Sequence, residues 1–214
     1  MYTKRLQKLF LALPECRLLA DVGCDHGYVG IYALQKGIAE RVCFSDISLP
    51  SLQKARQNCP EQYLDRAQFV CQDGLQDICA DCAVIAGMGG MEIISVLKNA
   101  RHLPEKLVLQ PMRSQREVRE FLSEKYKILS DEKFFDGKFY DLITAQLGGG
   151  TTLSEEEKQF GKTNLLQPSE DFLAFLQKEK ATCEQILNQC NDAEAVRRYE
   201  EVCRIIRKLT EETS

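Results

Sequence analysis

Apolar residues Leu6, Leu9, Phe10 and Leu13 recur at steps of three and four, which predicts a helix over residues 3–13 that stops before Pro14. Five short apolar runs follow, at 18–23, 41–47, 67–73, 82–88 and 106–110, each closing on an acid, a glycine or a proline. Between them, amphipathic stretches at 28–37, 49–58, 91–100 and 114–124 carry the helical period. Buried strands alternating with helices at these spacings argue for a doubly wound α/β sheet of parallel strands. The pattern then changes. Residues 126–135 and 138–147 read as two strands joined through Asp136-Gly137, a turn pair that favours an antiparallel hairpin.

Beyond Gly148-Gly149-Gly150 the strand pattern ends. The stretch from Glu155 to Pro168 reads as a polar connection, and Ser169 as the N-cap of a helix with Glu170 and Asp171 in its first turn. Phe172, Phe175, Leu176, Cys183, Ile186, Leu187 and Cys190 form one apolar stripe. Val196, Tyr199, Cys203, Ile206 and Leu209 form a second, with Asn191-Asp192 breaking the helix between them. An antiparallel, coiled-coil-like helical hairpin over 154–214 is therefore expected to follow an α/β domain over 1–153.

Charge sharpens that division. Residues 1–153 hold 19 basic and 19 acidic side chains, whereas residues 154–214 hold 9 and 13, so the whole chain carries −4. That balance gives no sign of bulk attraction to nucleic acid, although a local basic patch is all that phosphate contacts need. No apolar run approaches the length of a membrane span, so no membrane partner is expected. Ten cysteines do not imply disulfides here, because no secretory signal precedes them and Cys43, Cys71 and Cys82 fall in predicted strands. Cys79 and Cys82 match C-x-x-C without a second pair, so no metal site is expected. A monomer in a reducing cytoplasm is the expected state.

Candidate chemistry clusters at the ends of the predicted strands. Asp21-Val22-Gly23-Cys24-Asp25-His26-Gly27-Tyr28 is a strand, a glycine turn and a helix start, the usual cradle for a nucleotide cofactor. Dinucleotide enzymes favour G-x-G-x-x-G there, so that a pyrophosphate can lie against bare backbone. Asp25 in place of the middle glycine would repel phosphates and attract an amine and a sulfonium, which points to S-adenosylmethionine (SAM). Asp46, 23 residues beyond Gly23 and followed by Ile47, stands where a ribose hydroxyl pair is held, which suits either cofactor. Asp73-Gly74 offers an acceptor for an adenine amine. Ala86-Gly87-Met88-Gly89-Gly90 clears side chains from the place where cofactor and substrate meet, and Gln110-Pro111 ends the fifth strand beside it. His26 is a candidate for orienting the site and Tyr28 for stacking on a base.

A parallel sheet finished by an antiparallel hairpin is the build of class I methyltransferases, a Rossmann-like fold. The chain closely resembles bacterial tRNA (adenine-N1)-methyltransferases that modify A22. The resemblance lies in Lys4-Arg5-Leu6, residues 20–28, Ile85-Ala86-Gly87-Met88-Gly89-Gly90, Leu109-Gln110-Pro111 and Asp136-Gly137-Lys138, and it extends into the C-terminal helices. Cys24, Gly27, Gly30 and Met112 depart from the family, which commonly has Ser, Ala, Pro and Asn there; Met112 removes a side-chain amide. The resemblance implies SAM as cofactor, tRNA as partner and methyl transfer to adenine N1. The residues expected to hold the cofactor are Asp21, Gly23, Cys24, Asp25, Gly27, Asp46, Ile47, Asp73, Gly74, Ala86, Gly87, Met88 and Gly89. Catalytic roles are expected of Asp25, His26 and Tyr28, and substrate contacts of Lys4, Arg5, Gln110, Pro111, Arg197, Arg198 and Arg204. Other acceptors, a non-catalytic RNA-binding protein and a nicotinamide-dependent oxidoreductase remain as alternatives.

Overall fold

The computed structural model of the protein describes residues 2–211. A seven-stranded sheet in the order β3-β2-β1-β4-β5-β7-β6 forms its centre. The strands are β1 (Cys16–Val22), β2 (Ala39–Asp46), β3 (Ala67–Cys71), β4 (Cys82–Ala86), β5 (Lys106–Gln110), β6 (Tyr126–Asp136) and β7 (Lys138–Leu147). The first five run parallel, and β7 lies antiparallel to both β5 and β6. The hairpin closes on Gly137, whose φ of +73° lets Asp136 pair directly with Lys138.

Consecutive strand residues point to opposite faces, so two cores form. Leu19, Val42, Phe44 and Val84 pack beneath α1 (Lys4–Ala12), α2 (Tyr28–Lys36) and α3 (Leu49–Asn58). Ala20, Cys43, Ile85 and Leu109 pack on the other face, beneath α4 (Gly90–Asn99) and α5 (Gln115–Lys125). Gly30 sets how closely α2 approaches the sheet: a Cβ there would lie against the Phe44 ring and 2.7 Å from Val42 Cγ1. After β1 the chain winds outward to β2 and β3, then returns to place β4 on the other side of β1. A crevice opens at such a switch point, at the carboxyl ends of the strands.

The region expected as a polar connection is ordered and docked. Residues 155–166 form α6 (Glu155–Phe160) and α7 (Lys162–Leu166), with Ser154 and Glu157 closing a capping box on α6. The inner side of this pair seals a buried ionic cluster. Arg119, 1% exposed, donates to Asp131 at 2.6 and 3.0 Å and to Asp141 at 2.6 Å, and its Nη1 reaches the carbonyls of Lys158 and Gln159. Lys133 donates to Asp141, and Asn164 accepts the Lys133 amide. The outer side carries Phe160, which joins Phe172, Leu176, Val202, Ile205 and Leu209 in a third core. The 153/154 division thus falls immediately before helices that complete the ionic cluster of the α/β domain.

Two long helices follow, α8 (Glu170–Leu187), capped by Ser169 as expected, and α9 (Ala193–Glu211). Asp192 accepts the Glu194 and Ala195 amides at the start of α9. The expected stripe on α9 is displaced by one position over most of its length: Ala195, Val202 and Ile205 are buried, whereas Val196, Tyr199, Cys203 and Ile206 are half-buried, and Leu209 is buried as expected. Ile186, near the end of α8, and Cys190, beyond it, lie exposed past the packed seam. Asp171 ties this hairpin back to the sheet, accepting from the Phe135 amide at 3.0 Å and from Lys4 Nζ at 2.8 Å. All ten cysteines are free thiols. Among the described residues no helix is long and apolar enough to cross a membrane, and no cluster of His, Cys, Asp and Glu could hold a metal ion.

Candidate active site

Gly23 follows β1 and Gly87 follows β4, at φ of +67° and +82°, and these two turns divide the crevice into adjoining chambers. One chamber, about 490 Å³, is walled by Asp46, Ile47, Asp73, Gly74, Met88 and Val96. The other, about 460 Å³, is walled by Arg5, Asp21, Asp25, His26, Tyr28 and Ala86. Val22, Gly23 and Gly87 belong to both. The glycine turns bring backbone to the junction, with the Met88 side chain lying over Gly23.

In the first chamber Asp46 is held from two sides: its Oδ1 accepts the Ser48 amide at 2.9 Å and its Oδ2 the Asp25 amide at 3.3 Å. Each oxygen keeps a lone pair for a ligand hydroxyl. Beneath it, buried Ser45 braces two turns at once. Its carbonyl accepts the Gly23 amide, and its hydroxyl donates to the Gly74 carbonyl, both at 2.7 Å. Ile47 and Val96 supply the apolar surface that a purine needs, and Glu92, on the first turn of α4, adds an acid. Ser45, Gln72, Glu92 and Val96 were not among the expected site residues. Glu92 had a local signal, an acid just after a glycine turn; Ser45 had none.

The second chamber is acidic at its base. Asp21 is buried and accepts the Gly30 amide at 2.9 Å. Burial pushes its pKa up to about 7, the Gly30 hydrogen bond opposing the shift and the Asp46 charge adding to it. Burial likewise raises the Cys24 thiol, so Cys24 lines the wall as a neutral group. Asp25 stands at the rim with its side chain 59% exposed and a φ of +43°, 3.5 Å from both Lys54 Nζ and His26 Nε2. The His26 and Tyr28 rings lie parallel within 7°, centroids 5.3 Å apart, and Tyr2 meets Tyr28 edge-on. Together these three rings make an aromatic rim.

A methyltransferase domain family matches residues 2–143, which carry both chambers and the glycine turns between them. The chain belongs to that family. The chain is 32% identical over 155 residues to the tRNA (adenine(22)-N(1))-methyltransferase of Bacillus subtilis, an alignment covering 68% of this chain and 65% of that protein. It spans 50–65% of the length of the curated relatives it matches. Among solved structures it is similar to the B. subtilis M1A22 tRNA methyltransferase TrmK, with a TM-score of 0.76 and 26% identity over 99% of this chain and 98% of that one. It shares its fold with M. capricolum TrmK in complex with S-adenosylhomocysteine, with a TM-score of 0.83 and 23% identity over 99% of this chain and 97% of that one. The nicotinamide alternative falls away with the family.

Several expected site residues stand elsewhere in the protein. Gly27 touches neither chamber; it starts α2 at φ +71°, with Ala55 and Phe44 where a side chain would go. Gln110 is fully buried and spends its amide internally, accepting from Arg5 and donating to the Pro111 carbonyl and Met112 Sδ. Pro111 is buried beside it and lines neither chamber. Lys4 is paired with Asp171. Arg197, Arg198 and Arg204 line a separate, open cleft of about 830 Å³ between α8 and α9. Arg198 is held there by Glu179 and Glu201 over the Phe160 ring, and Arg204 by Glu156, while Arg197 is exposed.

Proposed function

We propose that the protein is a SAM-dependent tRNA methyltransferase that modifies adenine N1 at position 22, and that it works as a monomer in the cytoplasm. The observation that carries this reading is the pair of chambers meeting at Gly23 and Gly87, one suited to a nucleoside and the other acidic with an aromatic rim. The similarity to the B. subtilis enzyme, named for that same position, supports the acceptor.

The residues present fit the cofactor. Asp46 keeps lone pairs that would take the ribose hydroxyls, Asp73 and the turn at Gly74 would receive the adenine, and Ile47 and Val96 would supply apolar surface for its ring. Asp21 and Asp25 would attract the ammonium and sulfonium. When bound, SAM supplies a methyl group on a positively charged sulfur. Adenine N1 carries its lone pair in the ring plane and needs no prior loss of a proton. The work left to this chain is positioning and exclusion of water.

N1 lies on the Watson–Crick edge, so a paired adenine must leave its stack to reach the junction. The His26, Tyr28 and Tyr2 rings at the rim offer the surface on which an extruded base stacks. Asp25, beside that rim, is placed to favour the positive charge that develops on the methylated base. The α8–α9 hairpin with exposed Arg197 would register the rest of the RNA through phosphates, which give position without sequence information.

The test uses unmodified tRNA and SAM labelled in its methyl group, followed by nuclease digestion and mapping of the modified nucleoside. Label in 1-methyladenosine at position 22 is the expected result. Label at another nucleotide would overturn the acceptor, and no transfer to tRNA at all would overturn the reading.

A further inference from the structure

The second chamber contains a cation whose guanidinium forms no ion pair. Arg5 is half-buried on α1 and, among the described residues, forms no ion pair. Neutral groups hold its side chain, and the one carboxylate hydrogen-bonded to Arg5, that of Asp136, takes its backbone amide. Its Nε donates to Gln110 Oε1 at 2.6 Å, its backbone amide to Asp136 Oδ2 at 2.9 Å, and its guanidinium lies 5.5 Å from the centroid of the Tyr140 ring. Its Nη2 sits 2.8 Å from the point where Gly87 would carry a Cβ, so the glycine leaves room for the guanidinium at the junction of the chambers. Among the described residues that line this chamber, Arg5 alone is a lysine or arginine.

A half-buried cation whose side chain has only neutral partners is costly unless an anion completes it. The arrangement fixes the side chain through Nε and leaves both terminal nitrogens open, a planar fork that matches a carboxylate. Asp21 and Asp25 line the same chamber. Acids and one arginine lining a single chamber complement an amino-acid zwitterion, ammonium toward the acids and carboxylate toward the fork. An RNA phosphate would gain the arginine but face both carboxylates.

We propose that Arg5 binds the α-carboxylate of the cofactor's methionine end, so that α1 is a wall of the cofactor site and not part of the RNA track. The inference rests on the SAM reading above. It also explains Gln110, which acts as a positioning residue and aims the guanidinium without spending its charge.

Calorimetry on the full chain separates the possibilities with two ligands, S-adenosylhomocysteine and 5′-methylthioadenosine, which lacks the amino-acid carboxylate. Arg5→Met should weaken S-adenosylhomocysteine about 10- to 100-fold, and methylthioadenosine by less than about twofold, as expected for loss of a charge-assisted pair. Arg5→Lys, which keeps the charge and loses the fork, should fall between. Urea unfolding of each variant checks the fold. Unchanged S-adenosylhomocysteine affinity with weakened tRNA binding would overturn the proposal in favour of an RNA phosphate. Equal weakening of both ligands would overturn it in favour of a residue that merely props the crevice. Failure of the parent protein to bind S-adenosylhomocysteine would sink the cofactor reading itself.

Discussion

Arg5 and Arg119 show how one side chain serves opposite ends. Arg119 is sealed between α5, the β6–β7 hairpin and α6, and two carboxylates and two carbonyls meet its guanidinium. Burial works against its charge, but Asp131 and Asp141 hold it protonated well above the ordinary arginine value. In turn, Lys133 and Arg119 outweigh the burial of Asp141 and keep its carboxyl below the usual range. Nothing in that cluster is left over for a ligand. Arg5 keeps an open fork at the edge of a chamber whose acids, Asp21 and Asp25, line the same space without pairing with it. Charges that stabilise the fold are satisfied internally; charges that serve a ligand are fixed in place and left incomplete.

The comparison can be broken at either end. Arg119→Met would strand Asp131 in the interior, leaving Asp141 only its Lys133 partner, and should cost about 3–5 kcal/mol of stability in denaturant unfolding. A loss near zero would mean that water reaches the cluster. Asp46→Ala should weaken SAM by about 1.5–3 kcal/mol in calorimetry, through loss of charge-assisted hydroxyl contacts. Its effect on stability should be far smaller than that of Arg119→Met, because it leaves no buried charge behind.

Asp21 sharpens the contrast by pH. Its folded pKa of about 7 lies above the ordinary 3.8, so between those values the folded protein holds a proton that the unfolded chain has released. The stability this contributes is full at acid pH and is lost as pH rises toward 7. Binding of a cationic ligand runs the other way, because it favours the carboxylate. SAM affinity should rise roughly tenfold between about pH 6 and 8, and Asp21→Asn should flatten that rise while still accepting the Gly30 amide. A slope that survives in Asp21→Asn would assign the titration to another group. The smallest effect belongs to Arg197→Ala, which should lower the salt dependence of tRNA binding by about one phosphate contact and leave SAM affinity alone. An unaltered slope in filter binding would remove the hairpin from the RNA interface.

What could be read in advance follows the range of the interactions. Strands and helices of the α/β domain announced themselves because burial on a sheet or helix face repeats every two or three to four residues. The glycine turns and their acids were legible for the same reason, since turn, carboxylate and helix start fit within ten residues. The ionic cluster was not, because Arg119 meets Asp131 and Asp141 at separations of 12 and 22 residues with no local signature. The same holds for Arg5 and Gln110, 105 residues apart. Glu155-Glu156-Glu157 looked like solvated charge, and only Phe160 and Asn164, buried against distant partners, turn that stretch into docked helices. Upstream of Leu209 the stripe on α9 moved by one position, because its seam must meet Phe160 as well as α8.

Asp171 gives the molecule a load path. A single carboxylate near the start of α8 grips the main chain of β6 and the side chain of Lys4, the residue next to Arg5. If a bulky ligand tilted α8, the strain would arrive at the first turn of α1, one peptide away from the guanidinium at the chamber junction. By linkage the reverse would hold equally: a cofactor that draws Arg5 inward would preload the strut and bias the hairpin's angle before any RNA arrives.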